Sequence, residues 1–331
     1  MEKIILDIFG ADHPEALAKG AVDAVKAEEG FTLVMPGPAD RLRALLAPFS
    51  PVPGRIEILD APDIITNDEA PAMAVLHKPA SSVALGMRFL REQPEAVGMV
   101  SCGNTGAVLA AATMVLGRLP GVSALTLSTL LPNEKGGFTL MLDCGANVDC
   151  PVPRLVQYAK MGAALMHACF AIASPRVAVV SIGTEAKKGN RQSHELLEAL
   201  RADGTLQVTG NMEAREALSG DYDVLVCDGF VGNILLKSIE GTARFLMQQT
   251  VARLKAAAPE GADLSFVKKA LGQLAAEMDF NSRGGAILLG AEKPVIKAHG
   301  SANEKTVPNV VRQLRQISRG GYDAFVRENL G

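Results

Sequence analysis

The chain has 331 residues, of which 48% are hydrophobic and 21% charged, and its formal net charge is −3. This length allows one large α/β domain or two smaller ones, and the composition excludes disordered, collagenous and coiled-coil proteins. The near-even charge provides no basic surface for nucleic acid, and the absence of Trp removes the best base-stacking side chain.

Short β-rich runs alternate with helical stretches along almost the whole chain. Several runs are apolar on both faces, which is typical of a parallel sheet covered by helices, and we predict a three-layer α/β/α sandwich with a mostly parallel sheet. The predicted strands are Ile4–Ile8, Phe31–Met35, Arg55–Leu59, Val97–Ser101, Leu125–Leu131, Phe138–Leu142, Val177–Ile182, Leu206–Thr209, Val224–Cys227 and Val295–Ala298. The predicted helices include Pro14–Glu28, Thr105–Leu116, Pro153–Phe170, Ser193–Ala202 and Thr306–Ser318.

One stretch resembles a membrane span, since residues 96–117 contain no charged side chain. Its first half holds the turn Ser101–Gly106, whose backbone polar groups would be unpaired in lipid. We therefore predict a strand, a turn and a helix there. Ser123–Leu142, two strand-like runs joined by Pro132–Gly137, is predicted to be an antiparallel hairpin.

Two long helices are predicted in the last third of the chain, from Val231 to about Ala258 and from Leu264 to Met278, with a break rich in Pro and Gly between them. The first has a large apolar face formed by Phe245, Leu246, Met247, Val251 and Leu254. Packing within the chain or a dimer interface is the ordinary explanation of such a face. Contact with a membrane surface or a lipid-bearing partner is the alternative.

Several familiar motifs are incomplete. His194–Glu198 lacks the second His of a zinc protease, Gly229–Asn233 is not followed directly by the Lys of a P-loop, and Gly121–Leu125 lacks the second Gly of a nucleophile elbow. No G-x-G-x-x-G follows the first strand. The five cysteines include no C-x-x-C pair and are interpreted as reduced, buried thiols of a cytoplasmic protein.

Five turns rich in Gly, Asn and charged residues each follow a predicted strand. Ligands of open α/β sheets bind outside the carboxyl ends of the strands, so we expect these turns to share one edge and form a site. The turns are Ser101–Ala107, Asp143–Asp149, Gly183–Asn190, Asp228–Asn233 and Lys297–Ser301.

The first of these turns is the best candidate for an anion site. Gly103, Asn104, Thr105 and Gly106 stand at the predicted start of a helix, where free N–H groups would suit a phosphate. A plain strand–helix connection, in which glycine only supplies backbone freedom, is the equally good alternative.

At these turns the sequence resembles the bacterial phosphate acyltransferases of phospholipid synthesis, the PlsX family. The matching stretches are Ser101–Ala107, Leu142–Cys150, Val226–Lys237, Arg283–Leu289 and Pro294–Ser301. The resemblance covers nearly the whole chain, which we take as a single α/β/α domain over residues 1–331 with a protruding helical pair at about 231–278.

The resemblance is looser near the N-terminus. The family's D-A-M-G-G-D corresponds to Asp7–Asp12 (Asp-Ile-Phe-Gly-Ala-Asp), and its K-K-D-S-S to Lys78–Ser82, which lacks one Lys and the Asp. Its E-E-x-K-G-N turn corresponds to Glu185–Asn190. These departures bear on any role of the N-terminal acids and of the missing Lys.

The resemblance implies a fold like that of isocitrate and isopropylmalate dehydrogenases and of phosphotransacetylases. It implies transfer of a long-chain acyl group from acyl carrier protein to inorganic phosphate, giving acyl-phosphate for phosphatidic acid synthesis, with no cofactor and no metal. It further implies a cytoplasmic homodimer associated peripherally with the inner face of the membrane, where a membrane glycerol-3-phosphate acyltransferase is a possible partner.

This reaction makes modest chemical demands. Phosphate is already a nucleophile at pH 7 and a thiolate is a good leaving group, so the site needs anion donors, a cation and an oxyanion hole, with no Ser-His-Asp triad. We hypothesise that the Gly103–Gly106 turn and Lys188 hold the phosphate, and that Asn233 and His299 polarise the thioester carbonyl. Cys102, beside the turn, is interpreted as a buried thiol and not as an acylated nucleophile.

The remaining candidates would position these groups. Asp143, Asn147 and Asp228 are expected to orient them, with Asp228 counted among the catalytic candidates, and Ser301 is a candidate for substrate binding. Each candidate also has an ordinary alternative: Lys188 as a solvated charge, His299 as a buried imidazole bonded to a carbonyl, and the aspartates as helix caps.

Three other functions remain open. A phosphotransacetylase would use short acyl-coenzyme A, a hydroxyacid dehydrogenase of the shared fold class would bind NAD(P) and a divalent metal, and a scaffold would hold acyl carrier protein without turnover. A preference for short acyl-coenzyme A would indicate the phosphotransacetylase, and binding of NAD(P) would indicate the dehydrogenase. Binding of carrier protein without product would indicate the scaffold.

Overall fold

The strands of the protein form one mixed sheet. A computed structural model describes residues 1–259, 262–278 and 284–330, and every strand in these ranges belongs to an eleven-stranded sheet of order β3-β2-β1-β4-β11-β10-β5-β6-β9-β7-β8. The strands are β1 (Glu2–Asp7), β2 (Phe31–Gly37), β3 (Ile56–Asp60), β4 (Ala96–Ser101), β5 (Thr126–Pro132), β6 (Phe138–Leu142), β7 (Arg176–Ser181), β8 (Gln207–Glu213), β9 (Val224–Val226), β10 (Ala286–Leu289) and β11 (Val295–Lys297).

Helices cover both faces of this sheet. In the described ranges they are α1 (Pro14–Ala27), α2 (Ala39–Leu46), α3 (Pro71–His77), α4 (Ser82–Glu92), α5 (Thr105–Ala111), α6 (Val152–Phe170), α7 (Arg191–Asp203), α8 (Gly229–Ala257), α9 (Ser265–Met278), α10 (Thr306–Gly320) and α11 (Tyr322–Leu330). A π-helical turn, Ala112–Leu116, extends α5. Side chains alternate between the faces: Ile4 and Leu6 belong to the core cluster that contains residues of α1, α6 and α10, whereas Ile5 belongs to the cluster that contains residues of α4 and α5. The predicted three-layer α/β/α sandwich is confirmed.

The sheet contains two parallel groups that run in opposite directions. β3, β2, β1, β4 and β11 are parallel to one another, and so are β6, β9, β7 and β8. Between the groups, β10 is antiparallel to both β11 and β5, and β5 is antiparallel to β6. The two groups therefore run in opposite directions, but their carboxyl ends meet at one row of paired residues across the sheet. The register forms this row from Val100, Ile296, Ile287, Ser128, Leu142, Val226 and Val179.

All five turns therefore follow strands that end within about two residues of this row, although the two groups reach it from opposite directions. We call edge A the ends of β1, β4 and β11, and edge B the ends of β6, β9 and β7. The turns after β4 and β11 lie at edge A, and those after β6, β7 and β9 lie at edge B.

All ten predicted strands are confirmed, and the predicted hairpin is the antiparallel pair β5–β6. The sequence prediction missed β10, which is only four residues long and follows two glycines. Residues 96–117 form β4, a turn, α5 and the π-helical turn, as predicted. Within the described ranges, no helix combines the length and apolar character needed to cross a membrane. Arg283, the first residue of one matching stretch, lies outside the described residues.

Helix α8 crosses from edge B over the second parallel group. It is 29 residues long, but its buried residues, Gly229, Gly232 and Leu236, all belong to its first eight positions. Leu236 packs against β6 and β9 through Met141 and Leu225.

Candidate active site

Three buried polar side chains lie side by side at edge A. Asp7, Ser101 and Lys297 are the last residues of β1, β4 and β11, and the strand register pairs Ser101 with both of the others. They are 1%, 0% and 9% exposed, respectively. The Ser101 hydroxyl donates a hydrogen bond to Asp7 Oδ2 at 2.8 Å. Parallel strands thus bring a carboxylate, a hydroxyl and an ammonium together at their carboxyl ends.

The Asp7 carboxylate is the centre of a small hydrogen-bonded network. It also accepts hydrogen bonds from the Phe9 N–H at 3.2 Å and from the Ser82 hydroxyl. Burial raises its pKa to about 6, against the opposing effect of these donors and of the Lys297 charge. The divergent segments near the N-terminus, Asp7–Asp12 and Lys78–Ser82, therefore both contribute to edge A.

The Gly103–Gly106 turn closes over this network. The Gly103 N–H donates to Ser101 Oγ at 3.2 Å, and a Cβ on Gly10 would lie 2.9 Å from Gly103 Cα, so the two loops need glycine for their close approach. Asn104 Oδ1 caps α5 by accepting from the Ala107 N–H at 3.0 Å. Thr105 is exposed. The turn thus makes the strand–helix connection, and the Asn104 amide nitrogen can still donate to a ligand.

His299 presents a hydrogen-bond donor at the same edge. Its Nδ1 accepts from the Ser301 backbone N–H at 3.1 Å and lies 2.7 Å from the Ser301 hydroxyl, which assigns the proton of the neutral ring to Nε2. His299 is exposed, but partial desolvation and the positive charges of Lys237 and Lys297 lower its pKa. The imidazole is therefore neutral at pH 7, with Nε2–H as its donor.

Helix α8 brings a charged pair near His299. Lys237 Nζ lies 2.8 Å from Glu240 Oε2, and both side chains act electrostatically on the imidazole. The helix that begins at edge B thus extends to the surroundings of His299.

At edge B, Asp143 organises the loop that follows β6. This fully buried carboxylate accepts from the N–H groups of Gly145, Ala146 and Asn147 at 2.8–2.9 Å, and from the Asn147 side chain at 2.7 Å. The same Asn147 amide donates to the Leu125 carbonyl at 2.8 Å. Burial nevertheless raises the pKa of Asp143. The Asp143 carboxylate and the Asn147 side-chain amide thus make these hydrogen bonds within the protein.

The same loop receives the start of α8. Asp228 caps the helix by accepting from the Val231 N–H at 2.8 Å, and Asn233 Nδ2 donates to the Cys144 carbonyl at 3.2 Å. Capping, the ordinary alternative for Asp228, is confirmed.

Lys188 lies in the exposed loop after β7, also at edge B. Its backbone carbonyl accepts from Asn211 Nδ2 at 3.1 Å and from Ser181 Oγ at 3.2 Å. β7 and β4 are six strand positions apart, roughly 29 Å along the sheet at about 4.8 Å per position.

The candidate residues thus form two groups. Gly103, Asn104, Thr105, Gly106, His299 and Ser301 lie at edge A, and Asp143, Asn147, Asp228, Asn233 and Lys188 lie at edge B. In the part of the chain that the structure describes, no group of three or more His, Cys, Asp or Glu residues could hold a metal ion. Cys102 is 2% exposed, and burial raises its pKa to about 12, which keeps the thiol protonated.

Nearly the whole chain matches a family profile. The profile described as "Fatty acid synthesis protein" matches residues 2–323. The phosphate acyltransferase of Clostridium acetobutylicum is 38% identical over 95% of each chain, and that of Brevibacillus brevis is 36% identical over 99% of this chain and 97% of the relative. The chain belongs to the phosphate acyltransferase (PlsX) family. It is therefore an acyltransferase.

Solved structures with the same fold include two transferases and a dehydrogenase. A phosphotransacetylase from Streptococcus pyogenes has a TM-score of 0.63 at 18% identity, covering 96% of this chain and 94% of the other. A branched-chain phosphotransacylase from Enterococcus faecalis V583 has a TM-score of 0.59 at 14% identity, covering 96% of this chain and 99% of the other. A 4-hydroxythreonine-4-phosphate dehydrogenase from Klebsiella pneumoniae has a TM-score of 0.58 at 15% identity, covering 96% of this chain and 100% of the other. At these identities the likeness shows the fold alone, and it confirms the expected phosphotransacetylase-like architecture.

Asp7, Ser101 and Lys297 belong to segments that the sequence indicates in this phosphate acyltransferase, but the sequence assigned no individual role to any of them. A usable signal was present for Lys297, which stands two residues before His299 in a matching stretch, at the end of a strand. Asp7 likewise ends the first apolar run. What the sequence lacks is the register that makes these three residues neighbours.

The raised pKa of Asp7 predicts a pH-dependent cost to stability. The folded protein binds this proton more tightly than the unfolded chain, whose Asp7 has the usual pKa of 3.8, so wild type loses stability as the pH rises from about 4 to about 6. Asp7→Asn removes this titration. We expect its free energy of unfolding, relative to wild type, to rise by on the order of 3 kcal/mol between pH 4 and 7.5.

Urea unfolding at the two pH values measures this difference. Asp40→Asn, which changes a fully exposed carboxylate, is the control for simple loss of charge. A difference between Asp7→Asn and wild type that does not change with pH would contradict the prediction.

Proposed function

We propose that the protein transfers a long-chain acyl group from acyl carrier protein to inorganic phosphate. A phosphate oxygen bonds to the thioester carbonyl carbon, the C–S bond breaks, and the proton of HPO4²⁻ ends on the carrier thiol. The products are acyl-phosphate and free carrier protein. Beyond the family relationship, the observation that carries this proposal is the neutral His299 donor at edge A, beside the glycine turn and buried positive charge.

The two edges have different roles in this proposal. At edge A, the Gly103–Gly106 turn contacts the phosphate, and His299 Nε2–H donates to the carbonyl oxygen as negative charge develops there. Ser301 holds the imidazole in the required tautomer.

The residues of edge B act through α8. Asp143 and Asn147 build the loop against which α8 begins, while Asp228 and Asn233 fix its first turns. The helix then places Lys237 near His299. These are positioning roles, so their loss should alter the site without removing a reacting group.

Acyl-phosphate formation from palmitoyl-acyl carrier protein tests the proposed reaction. The product is trapped as the hydroxamate by hydroxylamine, with and without phosphate, and without added metal or nucleotide. We expect product only when phosphate is present. Preference for short acyl-coenzyme A would instead indicate a phosphotransacetylase, reduction of NAD(P) a dehydrogenase, and carrier binding without product a scaffold.

We further propose that the protein is a cytoplasmic homodimer that associates peripherally with the inner face of the membrane. There a membrane glycerol-3-phosphate acyltransferase would consume the acyl-phosphate for phosphatidic acid synthesis. In support, α8 and α9 expose large apolar side chains: Phe245 is 59%, Leu246 57% and Phe266 70% exposed. Such a protruding helical pair can bury its apolar side chains in an interface with lipid or with a second chain.

Charged substitutions on α8 test whether its exposed apolar side chains contact a membrane or a second chain. We expect the double variant Phe245→Glu, Leu246→Glu to lose co-sedimentation with phosphatidylglycerol vesicles and to retain hydroxamate formation from the soluble carrier substrate. Leu76→Glu, at an exposed apolar residue of α3, is the control. Unchanged vesicle binding would contradict the membrane proposal, and dissociation of a dimer in sedimentation velocity would assign the surface to the second chain.

A further inference from the structure

The ammonium group of Lys297 is buried with little compensation. The residue is 9% exposed, and among the described residues its Nζ has a single hydrogen-bond acceptor, the carbonyl oxygen of Ala298. An ammonium group has three donors. Asp7 acts on it electrostatically, but no carboxylate of the described ranges forms an ion pair with it. A buried charge with so few partners is costly unless something else pairs with it.

Lys293, four residues earlier, shows how this protein satisfies a lysine used for structure. Its Nζ donates to three carbonyl oxygens, those of Leu90 at 2.7 Å, Gln93 at 2.9 Å and Ala96 at 2.9 Å. These acceptors tie β11 to the end of α4 and the start of β4. Lys293 precedes β11 and Lys297 ends it, so the two lysines lie at opposite ends of this strand.

The position of Lys297 is that of a ligand-binding group. It ends β11 at edge A, where the parallel strands β1 and β4 also end, and such ends are where open α/β sheets bind ligands. Lys297 and Lys237 both act as positive charges on His299. Edge A therefore presents positive potential beside a neutral donor, an arrangement suited to a small dianion.

We propose that Lys297 binds the attacking phosphate at edge A, where its ammonium group donates hydrogen bonds to phosphate oxygens beside His299. Asp7 supplies the counter-charge that stabilises the ammonium form when the site is empty, and Ser101 stands between the two side chains and holds the carboxylate in place. One phosphate oxygen remains free to attack the thioester carbon. This inference rests on the proposed acyl transfer to phosphate, and it adds the residue that recognises the nucleophile.

Substitution of Lys297 tests the assignment against a matched lysine. We expect Lys297→Gln to raise the KM for phosphate and the Kd for inorganic phosphate in calorimetry by about 10- to 100-fold, as expected for loss of a charge-assisted contact. The KM for the acyl donor should stay near the wild-type value. Lys297→Arg keeps the charge and should lose less. Lys293→Gln should lower the Tm and leave the KM for phosphate unchanged.

A folded Lys297→Gln variant with wild-type KM and Kd for phosphate would overturn the assignment. Should that variant not fold, ¹⁵N-lysine NMR of the wild-type protein decides the question: phosphate must shift one Nζ resonance that is absent from Lys297→Arg, and the absence of any shift overturns the proposal. Loss of phosphate binding in Lys297→Gln, together with a wild type that forms no acyl-phosphate, would refute the proposed function and leave the anion site standing.

Discussion

Replacing His299 by alanine is expected to lower kcat for acyl-phosphate formation by about 10²- to 10³-fold, the usual cost of removing one preorganised donor to a developing oxyanion. The Ser301 backbone N–H fixes the imidazole with Nε2–H as the donor, and partial desolvation and two nearby lysines keep the ring neutral. The effect should therefore fall on kcat more than on the KM for phosphate. Steady-state hydroxamate assays with varied phosphate separate the two constants.

Two further variants make this prediction specific. His299→Gln keeps a side-chain N–H and should recover part of the lost rate. Ser301→Ala removes the hydroxyl but leaves the backbone N–H on Nδ1, so only a several-fold loss is expected. An alanine variant within threefold of the wild-type kcat would remove His299 from the chemistry.

Gly232→Ala is expected to destabilise the protein by about 3 kcal/mol or more, because an alanine Cβ at this position would overlap the carbonyl oxygen of Asp143. The loop that follows β6 is braced by four hydrogen bonds to the Asp143 carboxylate, so it cannot yield easily. The start of α8 would have to move instead. Because α8 also carries Lys237, the activity of the folded fraction should fall as well.

Gly241 provides the matched control on the same helix. No atom of the described residues lies within 4 Å of a Cβ built there, so Gly241→Ala should gain helix propensity and stabilise the protein by about 0.5–1 kcal/mol. Urea unfolding of the two variants and wild type measures both effects. Equal free energies of unfolding for the two variants would show that the contact between α8 and the Asp143 loop contributes nothing.

The strands of this fold could be predicted because their apolar runs are local features of the sequence. Their directions could not, since each antiparallel pairing between β11 and β6 reverses the chain direction and the count of reversals depends on β10. β10 contributes only Ala286–Leu289, and it pairs with the adjacent strand β11 and with β5 from a distant part of the sequence. Missing one short strand was enough to hide the reversal of direction between the two parallel groups.

The candidate site could likewise be predicted from the sequence only in part. His299 and the Gly103–Gly106 turn carry their chemistry in short motifs and could be found by reading along the chain. Asp7 and Lys297 stand near opposite ends of the sequence, and each alone is one charged residue at the end of an apolar run. Their importance follows from the pairing of β1 and β11 with the same residue of β4, which is a property of the folded sheet.

The position of β10 and β11 has a consequence for biosynthesis. These strands are made almost last, yet they occupy the middle of the sheet, between β4 and β5. On the ribosome, the strands β1–β4 and β5–β9 must therefore wait as two separate half-sheets, each with an open edge of unpaired backbone groups. The strands synthesised last join the two half-sheets, because β11 pairs with β4 and β10 pairs with β5. A nascent chain that stalls before β10 would expose two unpaired strand edges to chaperones and proteases. A chain released after Lys297 contains all eleven strands of the described sheet.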